Sequence, residues 1–246
     1  MHEPDRVRDA YDTVARAYGD NLAGELPAKP VDRAMYRLFA ELVAADLDAA
    51  TALGTAAPTV GDVGCGPGHV AAHLAELGLH PVGVDLSPGM VAEARRRFPH
   101  LEFRVGSMLD PGGLGDPDGA WDGAVAAYAI VHFDAAGRGR AFAELARAIR
   151  PGGWLLVSFH VADAQTGPGG THHLAEWWGH EVDLDFRFAD PGEVAAQLSA
   201  AGFTVGVHTN RQPWPGEAPT RRALLLARRN PPAAIDHDQA TLTWSP

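Results

Sequence analysis

Lysine and cysteine are nearly missing from this 246-residue chain, each occurring once, as Lys29 and Cys65. A lone cysteine excludes an intrachain disulfide and agrees with a reducing compartment, so a cytoplasmic location is expected. Positive charge is scarce as well: 20 Lys and Arg stand against 31 Asp and Glu, a net charge of −11. That balance argues against nucleic acid as a partner, because phosphate backbones are gripped by basic surface. Long apolar runs are absent too. None approaches the ~20 residues of a membrane span, and Met1 to Asp20 is studded with charges where a signal segment would be apolar. No internal repeat is visible. With nucleic acid and membrane set aside, a small-molecule ligand and a monomeric or homodimeric soluble chain are expected.

What the chain does have is Asp62-Val63-Gly64-Cys65-Gly66-Pro67-Gly68. Three glycines at alternate positions follow the apolar run from Thr59 to Val63 and precede the helical pattern Val70 to Leu77. The order reads strand, tight turn, helix. Glycine suits a backbone that turns sharply while a ligand comes close to it, and the helix start leaves free N–H groups facing that ligand. Asp62 at the strand end is unwelcome beside a diphosphate but suits a ligand carrying an ammonium or sulfonium. Cys65 reads as a small residue filling this turn. One unit later, His80-Pro81-Val82-Gly83-Val84-Asp85 reads as a second strand ending in a carboxylate. There a βαβ unit places the acid that grips ribose hydroxyls.

The rest of the chain alternates in the same way. Val7, Tyr11, Val14, Ala15 and Tyr18 recur at threes and fours and predict an amphipathic helix over 5–20. A second helix is predicted over 30–48, and a linker over 54–58. Strands are predicted at 59–63, 81–85, 102–105, 121–126 and 153–160, and helices at 68–78, 88–97 and 137–149. Such alternation implies an α/β fold with a mainly parallel sheet and helices on both faces. The pattern breaks over 161–189, read as an insertion over the mouth of the sheet. Asp190-Pro191 then caps a helix that Gly202 ends, and strands are predicted at 203–207 and 222–228. The 231–246 segment lacks periodicity and reads as a tail.

The run from Asp62 to Gly68, Asp85 with Leu86-Ser87-Pro88-Gly89-Met90 behind it, Gly106-Ser107-Met108, Trp121 to Val125, and Leu145 to Gly153 resemble the class I S-adenosylmethionine-dependent methyltransferases. The resemblance covers about residues 59–160. It implies a Rossmann-like, seven-stranded, mainly parallel sheet closed by a C-terminal antiparallel hairpin. Residues 1–230 are then one domain: an N-terminal helical cap over 1–50, a cofactor core over 59–160, a lid over 161–189, and a C-terminal helix and hairpin over 190–230. It also implies roles. Asp62, Gly64, Cys65 and Gly66 surround the methionine end of S-adenosylmethionine, and Asp85 takes the ribose hydroxyls. Leu86 and Met90 sandwich the adenine, with Ser107 and Met108 at its edge. Ala127 offers its carbonyl to the ammonium, and Tyr11 and Tyr18 close over the cofactor. S-adenosylhomocysteine is the implied product.

On the acceptor side, His132 follows the fourth strand, where the family often has a histidine facing the acceptor. It is the candidate catalytic base or orienting group, with Tyr128 beside it; the plainer alternative is that it packs or bonds the backbone. His172, His173, Trp177 and Trp178 are candidate substrate-binding residues, because flat aromatic walls suit an aromatic or heterocyclic acceptor. A metal site is not expected, since His172, His173 and His180 lack ligand spacing. Arg211 is a candidate rim residue, though a solvated edge is the commoner setting for Arg211, Glu217 and Arg222. The scarcity of lysine beside abundant arginine and alanine suggests a GC-rich bacterial source, for which secondary metabolism is a plausible setting.

Two alternatives stand beside this reading. A nicotinamide-dependent oxidoreductase would need a G-x-G-x-x-G turn and a Tyr-x-x-x-Lys pair, and Lys29 lies before the sheet. A cofactor-binding protein without activity would keep the turn alone. Calorimetry separates the first from the methyltransferase reading: S-adenosylhomocysteine should bind and NAD should not, and tight NAD binding would reverse the assignment.

Overall fold

The computed structural model describes residues 3–50 and 57–231. Most of the linker over 54–58 and nearly all of the 231–246 tail therefore lie outside the described residues. Two helices come first, α1 (Glu3–Leu22) and α2 (Pro30–Ala50), joined through a single 3-10 turn. The alternating core follows as β1 (Thr59–Val63), α3 (His69–Glu76), β2 (His80–Asp85), α4 (Pro88–Arg97), β3 (Glu102–Val105), β4 (Trp121–Ala127), α5 (Ala135–Ala148) and β5 (Ile149–Ala162). Next come β6 (Thr171–Trp177), β7 (His180–Arg187), α6 (Pro191–Ala200), β8 (Phe203–Arg211) and β9 (Arg221–Arg229).

Seven strands form one sheet in the order β3-β2-β1-β4-β5-β9-β8. The first five pair in parallel, and β9 and β8 add antiparallel. This is the architecture expected from the sequence. Strand order reverses between β1 and β4, so the C-terminal ends of β1, β2 and β4 open one crevice, where ligands of open α/β sheets bind. The largest difference from expectation is at β6. The segment from Thr171 to Trp177 is a strand, and it pairs with β7 as a separate two-stranded hairpin. Its apolar alternation is too weak to mark a strand, since five of its seven residues are exposed.

Both faces of the sheet are covered. Phe39, Val43 and Leu74 from α2 and α3 pack on Val60, Val125 and Leu156. On the other face Phe142 and Leu145 of α5 pack with Trp121, Leu155 and Phe203. Trp121 is fully buried, and its indole N–H donates to Asp116 Oδ2 at 2.6 Å. Its ring lies across β1 at Gly61, where a Cβ would stand 2.3 Å from a ring carbon.

The capping helix α1 is anchored on the N-terminus of α4 at the sheet's mouth. Ser87 caps α4 by accepting the Met90 amide at 3.0 Å. Asp12 of α1 then accepts the Ser87 hydroxyl at 2.5 Å and the Gly89 amide at 2.7 Å. A carboxylate at a helix N-terminus is favoured by the free amides and the dipole there. Gly89 permits the approach, because a Cβ there would fall 3.1 Å from Asp12 Cα and 3.2 Å from Ala15 Cβ.

Gly61→Ala is expected to overpack the Trp121 layer and cost on the order of 1–3 kcal/mol. In urea titration this would lower the midpoint with the slope unchanged; an unshifted midpoint would show that Trp121 repacks freely.

Candidate functional site

Three cavities meet at the mouth of the sheet, and Tyr18 and Tyr128 border all of them. The first is a cleft of about 770 Å³, open mouth included, walled by Gly64, Gly66, Asp85, Leu86, Met90 and Met108. The glycine turn has the backbone the motif predicts. Gly64 and Gly66 adopt φ of 75° and 51°, and the Gly64 and Cys65 amides both donate to the Val84 carbonyl, at 2.7 and 3.1 Å. A Cβ on Gly66 would enter nearly open space, with the Tyr18 ring at 3.9 Å as its nearest neighbour.

Asp85 ties this turn to β2. One carboxylate oxygen accepts the Gly66 amide at 2.8 Å and the other accepts the Ser87 amide at 2.9 Å. Each oxygen keeps lone-pair capacity for a further donor. Burial raises its pKa, opposed by those amides and reinforced by Asp12.

Asp62 is the anomaly. It is 1% exposed, and neither oxygen has a hydrogen-bond partner. Burial pushes its carboxyl up to about 7, with the Ala71 backbone pulling the other way. A buried carboxyl without a donor is costly. It borders a second hollow of about 450 Å³ together with Gly64, Cys65, Gly66, Ala127 and Tyr128. A ligand's cationic group placed in that hollow would relieve it.

The third cavity is the largest, about 1800 Å³ with its open mouth. Trp177, Trp178, Phe186 and Phe188 form its apolar wall. Trp177 and Trp178 stack at 4.8 Å with planes 16° apart. Trp178 and Gly179 are the two loop residues of the hairpin, at φ of 51° and 80°. A tryptophan at positive φ is a strained choice where Asn or Gly is usual. Such strain clusters at ligand sites. Tyr128 is strained in the same way, at φ 54° just past β4.

His132 joins the capping helix to the hairpin. Its Nδ1 lies 2.8 Å from the Asp185 carbonyl and its Nε2 lies 2.8 Å from the Tyr11 hydroxyl. A carbonyl only accepts, so Nδ1 carries the proton. In the neutral ring Nε2 then accepts from Tyr11. His132 borders the cofactor cleft, whereas Tyr11 borders both the cleft and the large chamber.

The remaining candidates separate. Ser107 and Met108 border the cleft, and Ala127 borders the cleft and the hollow. His172 borders the chamber, but His173 does not; it turns to Asp185 Oδ1 at 2.9 Å. Arg211 borders none of the three cavities. The solvated edge expected for Arg211, Glu217 and Arg222 is corrected by the structure: they form a buried ion network. Arg211 reaches Asp32 at 2.7 Å and Glu217 at 2.7 Å, and Arg222 reaches Glu217 at 2.8 Å. Burial alone would raise the Glu217 carboxyl, but Arg211, the Trp214 amide and Arg222 hold it at about 2. The reason is long-range pairing: Asp32 of α2 meets Arg211, and Glu217 meets both Arg211 and Arg222, so these side chains are buried although the β8–β9 connection is largely exposed. Sequence reasoning missed Asp12, Lys29 and His160. Lys29 had a signal, as the chain's one lysine; Asp12 and His160 had none.

A methyltransferase-domain family model matches residues 60–153. A trans-aconitate 2-methyltransferase of Methylobacterium nodulans is 37% identical over 193 residues, covering 72% of this chain and 70% of that protein. The chain belongs to the class I S-adenosylmethionine-dependent methyltransferases. A demethylmenaquinone methyltransferase of Beutenbergia cavernae is 34% identical over 63% of this chain, which spans 58% of that protein's length. The magnesium protoporphyrin IX methyltransferase of Synechocystis, solved with its cofactor bound, has the same fold at 18% identity. Its TM-score is 0.61, with 94% of this chain and 98% of that one covered.

The residues fit this methyltransferase's cofactor. Asp62 is an unpartnered carboxylate for the ammonium, Gly66 leaves the space a ligand needs, and Asp85 keeps acceptor capacity for the ribose diol. Among the described residues, no helix is long and apolar enough to cross a membrane.

The raised Asp62 pKa has a sign that can be measured. An approaching ammonium lowers it, so binding releases a proton below about pH 7. S-adenosylhomocysteine affinity should therefore fall by up to about tenfold per pH unit below that point, with Asp85 adding in the same direction. Without ligand, the same shift costs stability as the pH rises from the ordinary Asp range toward 7. Calorimetry over pH 5–8 should show this slope in the wild type and a flatter one in Asp62→Asn. A flat wild-type profile would separate Asp62 from the ammonium.

Proposed function

We propose that this methyltransferase acts on a flat aromatic or heterocyclic small molecule held against the Trp177–Trp178 wall, in a biosynthetic setting. The observation that carries this reading is the junction of the cavities. Tyr11, Tyr18 and Tyr128 border both the cofactor cleft and the aromatic-walled chamber, so an acceptor in the chamber meets the cofactor's reacting end there. Relatives named for demethylmenaquinone and trans-aconitate, both small molecules, support an acceptor of that size.

The cofactor supplies an electrophilic methyl group on a sulfonium, and it leaves as S-adenosylhomocysteine. The protein's work is then approach, orientation and, for a hydroxyl acceptor, removal of a proton. Tyr11 is the group that meets the acceptor, and His132 acts through it. An acceptor O–H donates to the phenol oxygen while the phenol donates to Nε2. As the acceptor oxygen bonds the methyl group, its proton passes to Tyr11 and Tyr11's own proton passes to His132. The Asp185 carbonyl holds the ring in the tautomer that can receive it. Asp62, Asp85 and the glycine turn hold the cofactor, and Leu86, Met90, Ser107 and Met108 hold its base.

Transfer of labelled methyl from S-adenosylmethionine to a panel of phenols, N-heterocycles, aliphatic acids, peptides and RNA tests this. Aromatic hydroxyl or N–H compounds should be labelled. For a hydroxyl acceptor, His132→Ala and Tyr11→Phe should each lower kcat by about 10²–10⁴. Labelling confined to RNA or peptides would overturn the acceptor class; near-wild-type turnover in both variants would leave alignment alone as the driving effect.

A further inference from the structure

Besides the tryptophan wall, the chamber is lined by charged and polar side chains, Lys29, His160, Thr220 and Arg222, together with Glu25 and Glu217. Both cations are buried, Lys29 to 8% and Arg222 to 3% exposure. They flank one ring. The Lys29 ammonium lies 5.2 Å and the Arg222 guanidinium 6.0 Å from the Tyr128 centroid, and His160 packs on that ring at 4.9 Å.

Each cation has a carboxylate partner: Lys29 has Glu25 at 2.6 Å and Arg222 has Glu217 at 2.8 Å. Glu217 accepts four hydrogen bonds. One oxygen accepts from Arg211, Arg222 and the Trp214 amide, and the other accepts from Arg211. Arg222 spends its donors on Glu217 and the Thr220 and Ala218 carbonyls, and its Nε has no partner. Lys29 has three donors to place, and Glu25 takes one. Asp163, which also borders the chamber, takes the Gln165 and Thr166 amides on Oδ1. Both cations therefore keep N–H donors that their carboxylate partners do not take up. Burial, then Arg222 and Lys29, push His160 down to about 3 against the pull of Glu217 and Glu25, so its ring is neutral. Surplus buried donors beside cations are what a carboxylate satisfies.

Resting on the small-molecule reading above, we propose that the acceptor carries a carboxylate at the end opposite its aromatic body, received by Lys29 and Arg222 with Thr220 and His160 beside them. The aromatic part then lies along Trp177 and Trp178, and its reacting atom lies between them at Tyr11.

The test uses the full chain saturated with S-adenosylhomocysteine and three probes in ligand-observed NMR and calorimetry: 4-hydroxybenzoate, 4-hydroxybenzamide and glutarate. The benzoate should bind about tenfold or more tighter than the amide. Lys29→Met should abolish that preference, and Lys29→Arg should restore it. Equal binding of benzoate and amide, or no binding of the benzoate, would overturn the anionic end. Glutarate binding better than the benzoate would keep the anionic end and overturn the aromatic body instead. A loss of S-adenosylhomocysteine affinity in Lys29→Met, with the benzoate preference intact, would assign Lys29 to the cofactor and overturn its role here.

Discussion

The structure is organised around two carboxylates buried where β1 and β2 end. Asp62 and Asp85 place negative charge in a low-dielectric mouth, and no lysine or arginine of the protein pairs with either. Asp85 is stabilised by backbone amides, and this fixes the glycine turn against β2. Asp62 has only the pull of the Ala71 backbone against its burial. A site that holds an unpaired carboxylate is prepared for a cation, and the turn's open space at Gly66 says where that cation's carrier passes. The arrangement spends folding stability on a binding site, as preorganised sites do.

The cover of this mouth follows from the same constraint. Asp12 brings a third carboxylate close by, but it sits on the α4 N-terminus, where amides and dipole favour it. The helix it belongs to carries Tyr11 and Tyr18 over the cleft. Through Tyr11 and His132 that helix is linked to the carbonyl of Asp185 on the hairpin. Three elements far apart in sequence are thus joined where the glycine-turn cleft meets the tryptophan-walled chamber.

The cofactor half of this protein was legible because its chemistry is local. The turn at Gly64 and Gly66 and the strand-end Asp62 and Asp85 each depend on a few neighbouring residues. The mainly parallel sheet followed from alternation, which is also short-range. The acceptor half is built from long-range contacts. His160 meets Thr220 across sixty residues, and Arg211 meets Asp32 across 179. Charges that look solvent-facing in sequence were buried by partners elsewhere in the chain. The strand character of Thr171 to Trp177 was hidden for a related reason: most of its side chains face solvent or a cavity, so no apolar period marks it.

The β6–β7 hairpin pairs with itself and not with the main sheet. It meets the rest of the molecule through few backbone bonds, such as the Arg187 amide on the Val131 carbonyl. Its sequence can therefore drift, lengthen or be exchanged while the seven-stranded scaffold and the cofactor turn stay as they are.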